Sequence, residues 1–241
     1  MSDVQLTIDG LAVSVPEGAT ILEACRAEGK DQPTLCYLET LTPVNTCRVC
    51  VVQVAGSRTL VPSCSRVAEE GMDISTDSPA VRQTRKTVFE FLASSVDLSL
   101  VDDQTQQWMD HYEVDPTRFG PAAPDSPAGA RDARHPGHHA PPVEGLTETV
   151  AQPVKIDNPL YVRDYGKCIL CYTCVEACGS DAQNTFAIQV AGRGFDARIS
   201  TEFDVALTDS ACVYCGNCIG VCPTGALMFR SEHELRAADL W

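Results

Sequence analysis

Two stretches of the chain repeat one cysteine spacing: Cys168, Cys171, Cys174, Cys178 and Cys212, Cys215, Cys218, Cys222, each C-x2-C-x2-C-x3-C, the second followed by Pro223. Thiolates are soft donors, and three of them at two-residue gaps can reach three irons of a [4Fe-4S] cubane while the fourth cysteine points to the neighbouring cluster. On that rule Cys168, Cys171, Cys174 and Cys222 hold one [4Fe-4S] cluster, and Cys212, Cys215, Cys218 and Cys178 hold the other. The competing reading is two zinc knuckles. Three cysteines this close together crowd a single tetrahedral ion and suit a cluster better.

An earlier group, Cys36, Cys47, Cys50 and Cys64, reads C-x10-C-x2-C-x13-C. Its count suits one four-thiolate site, either a zinc ribbon or a [2Fe-2S] cluster. Zinc sites usually pair two close C-x2-C knuckles, and here only Cys47 and Cys50 form one, so a [2Fe-2S] cluster is expected. The thirteenth cysteine, Cys25, falls on the apolar face of a short helix and reads as a small buried hydrophobe. A redox-sensing role would require exposure and a lowered pKa.

Composition narrows the class. Eighteen basic against 33 acidic residues give a net charge of −15, which repels a phosphate backbone and argues against nucleic-acid binding. No apolar run approaches the ~18–20 residues of a membrane span, and the start of the chain lacks the basic and apolar pattern of a secretory signal. A cytoplasmic protein with no membrane span is expected. Thirteen cysteines, an odd number in a reducing compartment, point to metal ligation over disulfides. No dinucleotide glycine fingerprint, flavin signature or nucleophile with an evident base accompanies them.

These ligands must be held by local structure. Val4, Leu6, Ile8 and Leu11, Val13, Val15 alternate around Asp9-Gly10, which predicts a hairpin. Thr20 is a candidate N-cap for a helix through Ile21, Leu22, Ala24 and Cys25 that ends near Gly29. Strand-like segments follow at Arg48–Val54 and Leu60–Val61, then an amphipathic helix over 80–93 and a shorter one over 102–111. Residues 116–153 are rich in Pro, Gly, Ala and His, the chemistry of a linker. His111, His135, His138 and His139 are expected at the surface and not as ligands. Further strand-like patches lie at Phe186–Val190 and Phe203–Leu207, and Gly216, Gly220 and Gly225 suit tight turns. The expected fold class is α+β: a β-grasp [2Fe-2S] ferredoxin domain at 1–79, a helical segment at 80–115, the linker at 116–153, and a bacterial-type two-[4Fe-4S] ferredoxin domain at 154–241.

Particular segments resemble a known family. Pro33-Thr34-Leu35-Cys36-Tyr37, Cys47-Arg48-Val49-Cys50, Cys64 and the run Gly71–Pro79 resemble the N-terminal domain shared by complex I large iron–sulfur subunits, hydrogenase diaphorase subunits and NAD-linked formate dehydrogenases, over roughly 4–95. Many of those relatives carry an additional His-Cys-Cys-Cys cluster in the next segment. This chain has no cysteine between Cys64 and Cys168, so that cluster is expected to be absent. Arg163–Cys171 and Ala191–Asp196, with the long insertion 179–211, resemble the ferredoxin domain of formate dehydrogenases and iron-only hydrogenases, to about residue 232.

The resemblance implies an electron-transfer subunit relaying electrons between a molybdenum or tungsten pterin formate dehydrogenase subunit and a flavin, NAD-binding diaphorase subunit. In the resembling formate dehydrogenases, a segment like Gly225–Glu232 leads into a large pterin domain, whereas this sequence ends at Trp241, so a split enzyme is expected. Alternative readings are the diaphorase subunit of an NAD-linked hydrogenase or a complex I-like enzyme and, from another class, an iron–sulfur sensor or zinc scaffold. A DNA-binding regulator would be expected to show a basic recognition helix, and none is visible. Lys167 and Arg48, beside cluster cysteines, are candidates for raising local potentials.

Overall fold

The computed structural model describes residues 2–120, 150, 154–193 and 197–241. The chain divides into two compact units. The first comprises residues up to 37 together with 45–89 and 103–114. It opens with β1 (Asp3–Ile8) and β2 (Leu11–Pro16), antiparallel in the register Leu6↔Val13 and Ile8↔Leu11. Asp9 and Gly10 connect them with φ of 50° and 81°, the two left-handed residues that a two-residue hairpin turn needs to match strand twist. Alternation then puts Leu6, Ile8, Val13 and Val15 into the core.

Helix α1 (Ile21–Ala27) starts where expected, through a reciprocal capping box. The Thr20 backbone N–H donates to Glu23 Oε2 at 2.6 Å, and the Glu23 backbone N–H donates to Thr20 Oγ1 at 3.2 Å. Ile21, Ala24 and Cys25 of this helix pack with Val52 and Ile74 in the core. Burial pushes the Cys25 thiol up to about 11, which suits a small hydrophobe and not a reactive thiol.

The sheet completes with β3 (Val51–Val54), β4 (Val61–Pro62) and β5 (Asp73–Ser75) in the order β2-β1-β5-β3-β4. β5 runs parallel to β1 and antiparallel to β3, giving a mixed β-grasp sheet. One expectation needs correction, and one strand was not expected. The strand expected from Arg48 starts only at Val51, because Arg48 has φ of 64° and belongs to the cysteine loop. β5 is a three-residue strand with one buried apolar residue, Ile74, too short to show a period.

Two helices follow, α2 (Pro79–Ser95) and α3 (Asp103–His111). From α2, Arg85 is 1% exposed. Its Nε and Nη2 donate to the Val51 carbonyl at 3.1 and 2.7 Å, Nη1 to Tyr112 Oη at 2.7 Å, and Nη2 also to Gln32 Oε1 at 2.7 Å. Tyr112 stacks between Phe89 and Trp108, while His111 meets Trp108 and Tyr112 edge-on. His111 is thus an exposed residue whose ring edges an aromatic stack. One buried guanidinium therefore fixes α2, the end of α3 and the first residue of β3, which directly follows Cys50.

The second unit comprises residues 38–44, 90–102 and 115 onward. A short antiparallel pair, β6 (Tyr161–Arg163) and β9 (Leu227–Phe229), closes its two ends in the register Val162↔Met228. Between them lie α4 (Thr173–Cys178), the hairpin of β7 (Gln189–Ala191) and β8 (Arg198–Ser200), and α5 (Asn217–Gly220). α6 (Arg230–Ala237) ends the unit. The patch Phe203–Leu207 is not a strand: 3-10 turns occupy 202–204 and 207–209, and the pairing strand lies upstream at β8. Phe203 is 91% exposed with φ of 50°, so its apolarity does not report burial. Most of the expected linker, including His135, His138 and His139, lies outside the described residues, as does Gly194-Phe195-Asp196.

Arg85→Met would leave the Val51 carbonyl and the Gln32 side chain buried without donors. A loss of about 2–3 kcal/mol follows from such charge-assisted bonds, and a thermal melt followed by circular dichroism should show the midpoint falling by several degrees.

Candidate iron–sulfur sites

In the first unit, Cys36, Cys50 and Cys64 are buried, with Cys47 partly so. Cys47 and Cys50 lie in the loop before β3, and Cys64 lies just beyond β4. Leu22 of α1 packs on Cys50 and Cys64, with Tyr37 alongside, and the Arg26 guanidinium sits 5.5 Å over the Tyr37 ring. The thiols form two pairs. The Cys47 backbone N–H donates to Cys36 Sγ at 3.4 Å, and Cys50 Sγ lies 3.4 Å from Cys64 Sγ. Ser63 Oγ donates to the Cys50 carbonyl at 2.8 Å, fixing the loop end.

Their electrostatics follow from this pairing. A hydrogen bond from the Cys47 side chain holds Cys36 down to about 6, and one from Cys64 holds Cys50 down to about 7. The donors Cys47 and Cys64 are pushed up by the same bonds and by burial. Charge on Cys36 also opposes ionisation of both Cys50 and Cys64. Four thiolates cannot coexist here without a cationic centre, so loading the site must release protons.

In the second unit the eight remaining cysteines line two cavities. One is lined by Cys168, Cys171, Cys174 and Cys222 with Tyr165 and Leu227. The other is lined by Cys212, Cys215, Cys218 and Cys178 with Tyr161 and Leu207. The exchange has a simple cause: α4 starts among the first three cysteines and ends at Cys178, while the chain leaving α5 brings Cys222 back. Thr173 Oγ1 donates to the Val221 carbonyl at 3.0 Å, joining the two motifs, and lies 3.2 Å from Cys171 Sγ. Cys178 Sγ accepts from the Ala187 backbone N–H at 3.2 Å. Burial pushes Cys168 and Cys218 up to about 12 and Cys174 well up. Cys215 alone of the eight is exposed.

Both motifs carry left-handed residues at the same two positions: Leu170 (φ 52°) and Tyr172 (67°) in the first, Tyr214 (56°) and Gly216 (80°) in the second. Bulky side chains rarely accept this conformation, and such strain gathers at functional sites. Alternating right- and left-handed residues gather backbone N–H groups into a concave nest, a frequent feature of iron–sulfur sites. Among the described residues, no three His, Cys, Asp or Glu side chains are arranged around a single metal ion. The donor sets, the two matched cavities and the strained loops fit clusters.

Sequence reasoning did not single out Thr173, Tyr161 or Tyr165. The Tyr161 Oη donates to the Tyr214 carbonyl at 2.6 Å and the Tyr165 Oη to the Ile199 carbonyl at 2.5 Å, so each braces one cavity wall. The signal for the two tyrosines was a pair of aromatic residues four positions apart, in Tyr161-Val162-Arg163-Asp164-Tyr165, just before Cys168. Lys167 pairs with Asp97 and lies 3.5 Å from Asp164, so its charge is offset by carboxylates.

Residues 2–79 match the family model of a 2Fe-2S iron-sulfur cluster binding domain, and residues 167–226 match that of a 4Fe-4S dicluster domain. Along 97% of its length the chain is 36% identical to the NADP-reducing hydrogenase subunit HndD of Solidesulfovibrio fructosivorans, of which it covers 37%. It is 30% identical over 93% of its length to the NADH-ubiquinone oxidoreductase 75 kDa subunit of Reclinomonas americana, covering 29% of that protein. It is 26% identical over 92% of its length to a Staphylococcus haemolyticus protein provisionally named a formate dehydrogenase, covering 20% of it. The chain thus spans well under half the length of these curated relatives. A chain in the crystal structure of an NAD+-reducing [NiFe]-hydrogenase superimposes with a TM-score of 0.73 at 25% identity, over 95% of this chain and 88% of that one. The chain is an iron–sulfur protein with a 2Fe-2S domain and a 4Fe-4S dicluster domain, corresponding to the N-terminal iron–sulfur region of the complex I 75 kDa subunit, hydrogenase and formate dehydrogenase family.

Proposed function

We propose that the chain is an electron-transfer subunit whose ligands are Cys36, Cys47, Cys50 and Cys64 for a [2Fe-2S] cluster, Cys168, Cys171, Cys174 and Cys222 for one [4Fe-4S] cluster, and Cys212, Cys215, Cys218 and Cys178 for another. The observation that carries this reading is the pair of cavities, each lined by four cysteines with the last cysteine of each motif exchanged. When bound, such clusters accept and release single electrons. The chain's own contribution is to gather the thiolates, to offer backbone N–H groups to sulfur at Cys36 and Cys178, and to bury six of the twelve ligands. Tuning by such hydrogen bonds and by burial is how proteins set cluster potentials. On this reading residues 1–79 and 154–241 are the two cluster domains, joined by the helical segment 80–115 and the linker 116–153, in a cytoplasmic protein.

The finer reading places the subunit between a molybdenum or tungsten pterin formate dehydrogenase subunit and a flavin NAD-linked diaphorase subunit. Support comes from the formate dehydrogenase relative and from the lack of any cysteine between Cys64 and Cys168. A second reading, the electron-transfer subunit of an NAD(P)-linked hydrogenase, is favoured by the hydrogenase chain of which this one covers 88%. Among the described residues no helix is long and apolar enough to cross a membrane.

Anaerobic co-purification on a tag, with metal analysis, separates these readings. Roughly ten irons on this chain with molybdenum or tungsten in a partner is the expected result; nickel in the partner would move the assignment to a hydrogenase. Zinc alone, with no partner, would sink the electron-transfer reading. In the loaded complex, Cys215→Ser should abolish one [4Fe-4S] signal and cut NAD-linked turnover while dye-linked formate oxidation is largely retained.

The ligand exchange has its own test by electron paramagnetic resonance. Cys178→Ser should lose the same [4Fe-4S] signal as Cys215→Ser, and Cys222→Ser the same signal as Cys171→Ser. Loss of one common signal in Cys178→Ser and Cys171→Ser would show that each motif serves its own cluster.

A further inference from the structure

Left-handed residues two apart mark both cysteine motifs, at Leu170 and Tyr172 and at Tyr214 and Gly216. A third such pair, Asn184 (φ 59°) and Phe186 (54°), lies outside either motif, in the stretch between α4 and β7 that is neither helix nor strand. Phe186 is 52% exposed, so burial of its ring does not account for a conformation that bulky side chains rarely accept. The backbone contacts do. The Gln183 N–H donates to the Ala177 carbonyl at 3.1 Å and the Asn184 N–H to the Gly179 carbonyl at 2.7 Å, while those of Thr185 and Phe186 both donate to the Cys178 carbonyl at 3.0 Å. The next N–H, that of Ala187, reaches Cys178 Sγ at 3.2 Å, and Thr185 Oγ1 lies 3.5 Å from the same sulfur. Residues 183–187 thus wrap one cysteine.

That sulfur belongs to one cavity. Thr185 and Ala187 line the cavity of Cys212, Cys215, Cys218 and Cys178 and not the other. The matching fourth cysteine of the second motif, Cys222, is placed differently. Pro223 follows it and has no N–H to give, and Thr224 Oγ1 lies 3.9 Å from its sulfur. Thr173, the other hydroxyl lining that cavity, lies 3.2 Å from Cys171 Sγ but donates its proton to the Val221 carbonyl at 3.0 Å. The Thr185 hydroxyl faces a sulfur instead.

We propose that Thr185 is a positioning residue for the [4Fe-4S] cluster held by Cys178, Cys212, Cys215 and Cys218: together with the Ala187 N–H it donates to the Cys178 sulfur and raises that cluster's potential. The proposal rests on the ligand sets above. A sulfur bound to iron carries no proton, so in its contact with Thr185 the hydroxyl must be the donor. Reduction puts more negative charge on the cluster and its sulfurs, and a hydrogen bond strengthens as its acceptor becomes more charged. The reduced state therefore gains more from the two donors than the oxidised state does.

The test is a potentiometric titration of the full-length, cluster-loaded subunit followed by electron paramagnetic resonance. The signal of the Cys215 cluster is identified as the one lost in Cys215→Ser. Thr185→Val, which keeps the shape and removes the hydroxyl, should shift the midpoint of that signal to lower potential and leave the other where it is. Thr185→Ser, which keeps the hydroxyl, should restore most of the wild-type midpoint. If Thr185→Val fails to hold the cluster, Thr185→Ala is titrated in its place. A purely structural role would lower the melting temperature without this split between the valine and serine variants. No shift without the hydroxyl, equal shifts at both signals, or loss of the Cys215 cluster in both Thr185→Val and Thr185→Ala would overturn the proposal while leaving the ligand reading intact. A shift confined to the other signal would overturn the proposal together with the exchange of Cys178 between the motifs, and wild-type protein without two [4Fe-4S] signals would overturn the proposal and the whole ligand reading.

Discussion

Twelve thiols must be brought into three small, largely dry spaces where they cannot all ionise by themselves. Hydrogen bonds to a partner thiol push Cys47 and Cys64 far from their thiolate forms, and burial with mutual repulsion does the same to Cys168, Cys174 and Cys218. The metal-free arrangement is therefore a set of protonated or proton-sharing thiols. Cys36 and Cys50 are instead held down by hydrogen bonds from Cys47 and Cys64, and for the raised thiols a bound metal would supply the energy of ionisation. The chain meets this constraint with backbone. Strained left-handed residues at Leu170, Tyr172, Tyr214 and Arg48 bend each loop until its cysteines converge, and several N–H groups are left facing sulfur.

That constraint also explains why so much of the second unit's core is cysteine. Its buried cluster includes Cys174 and Cys178 beside Tyr161, Tyr165, Ile188, Ile199 and Leu207, with Cys168, Cys212, Cys218 and Cys222 partly buried against them. Its strands are three residues long and α5 has four, so little regular structure is available to hold it. In a unit of this kind metal binding and folding are one equilibrium. The first unit differs: its core of Leu6, Ile8, Val13, Ile21, Val52 and Ile74 is assembled from a hairpin, a capped helix and a mixed sheet, and Cys50 and Cys64 pack in a separate small cluster with Leu22.

What could be read in the sequence follows the same division. Hairpin and first helix were legible because their signals are local: Asp9-Gly10 for the turn, Thr20 for the cap, a period of two in the strands. The cysteine spacings were legible because thiolates at fixed gaps have few alternative uses. β5 was not, since Asp73-Ile74-Ser75 offers one apolar residue and owes its strand conformation to β1 and β3 on either side. Nor was β8. Phe203 and Leu207 looked like a strand because they are apolar, yet one is almost fully exposed and both lie in 3-10 turns, while the real strand, Arg198-Ile199-Ser200, has a single buried apolar residue. The linker histidines fall outside the described residues, and the polarity of His111 suggests a surface position without revealing that its ring edges an aromatic stack.

The two buried arginines show why side-chain roles stay hidden even where the fold is legible. Arg85 and Arg163 both occupy positions that pattern reasoning would give to apolar residues, and neither sequence context distinguishes them. Their difference lies in satisfaction: one guanidinium is enclosed by a carbonyl, an amide and a phenol, the other has an aspartate on one arm and nothing on the rest. A fully bonded buried cation is a structural pin, because its charge is already answered by fixed dipoles. A half-bonded one keeps buried donors without fixed partners, a costly arrangement inside a protein. The same residue type, equally buried, thus meets two different surroundings, and only the count of partners around each side chain tells the two apart.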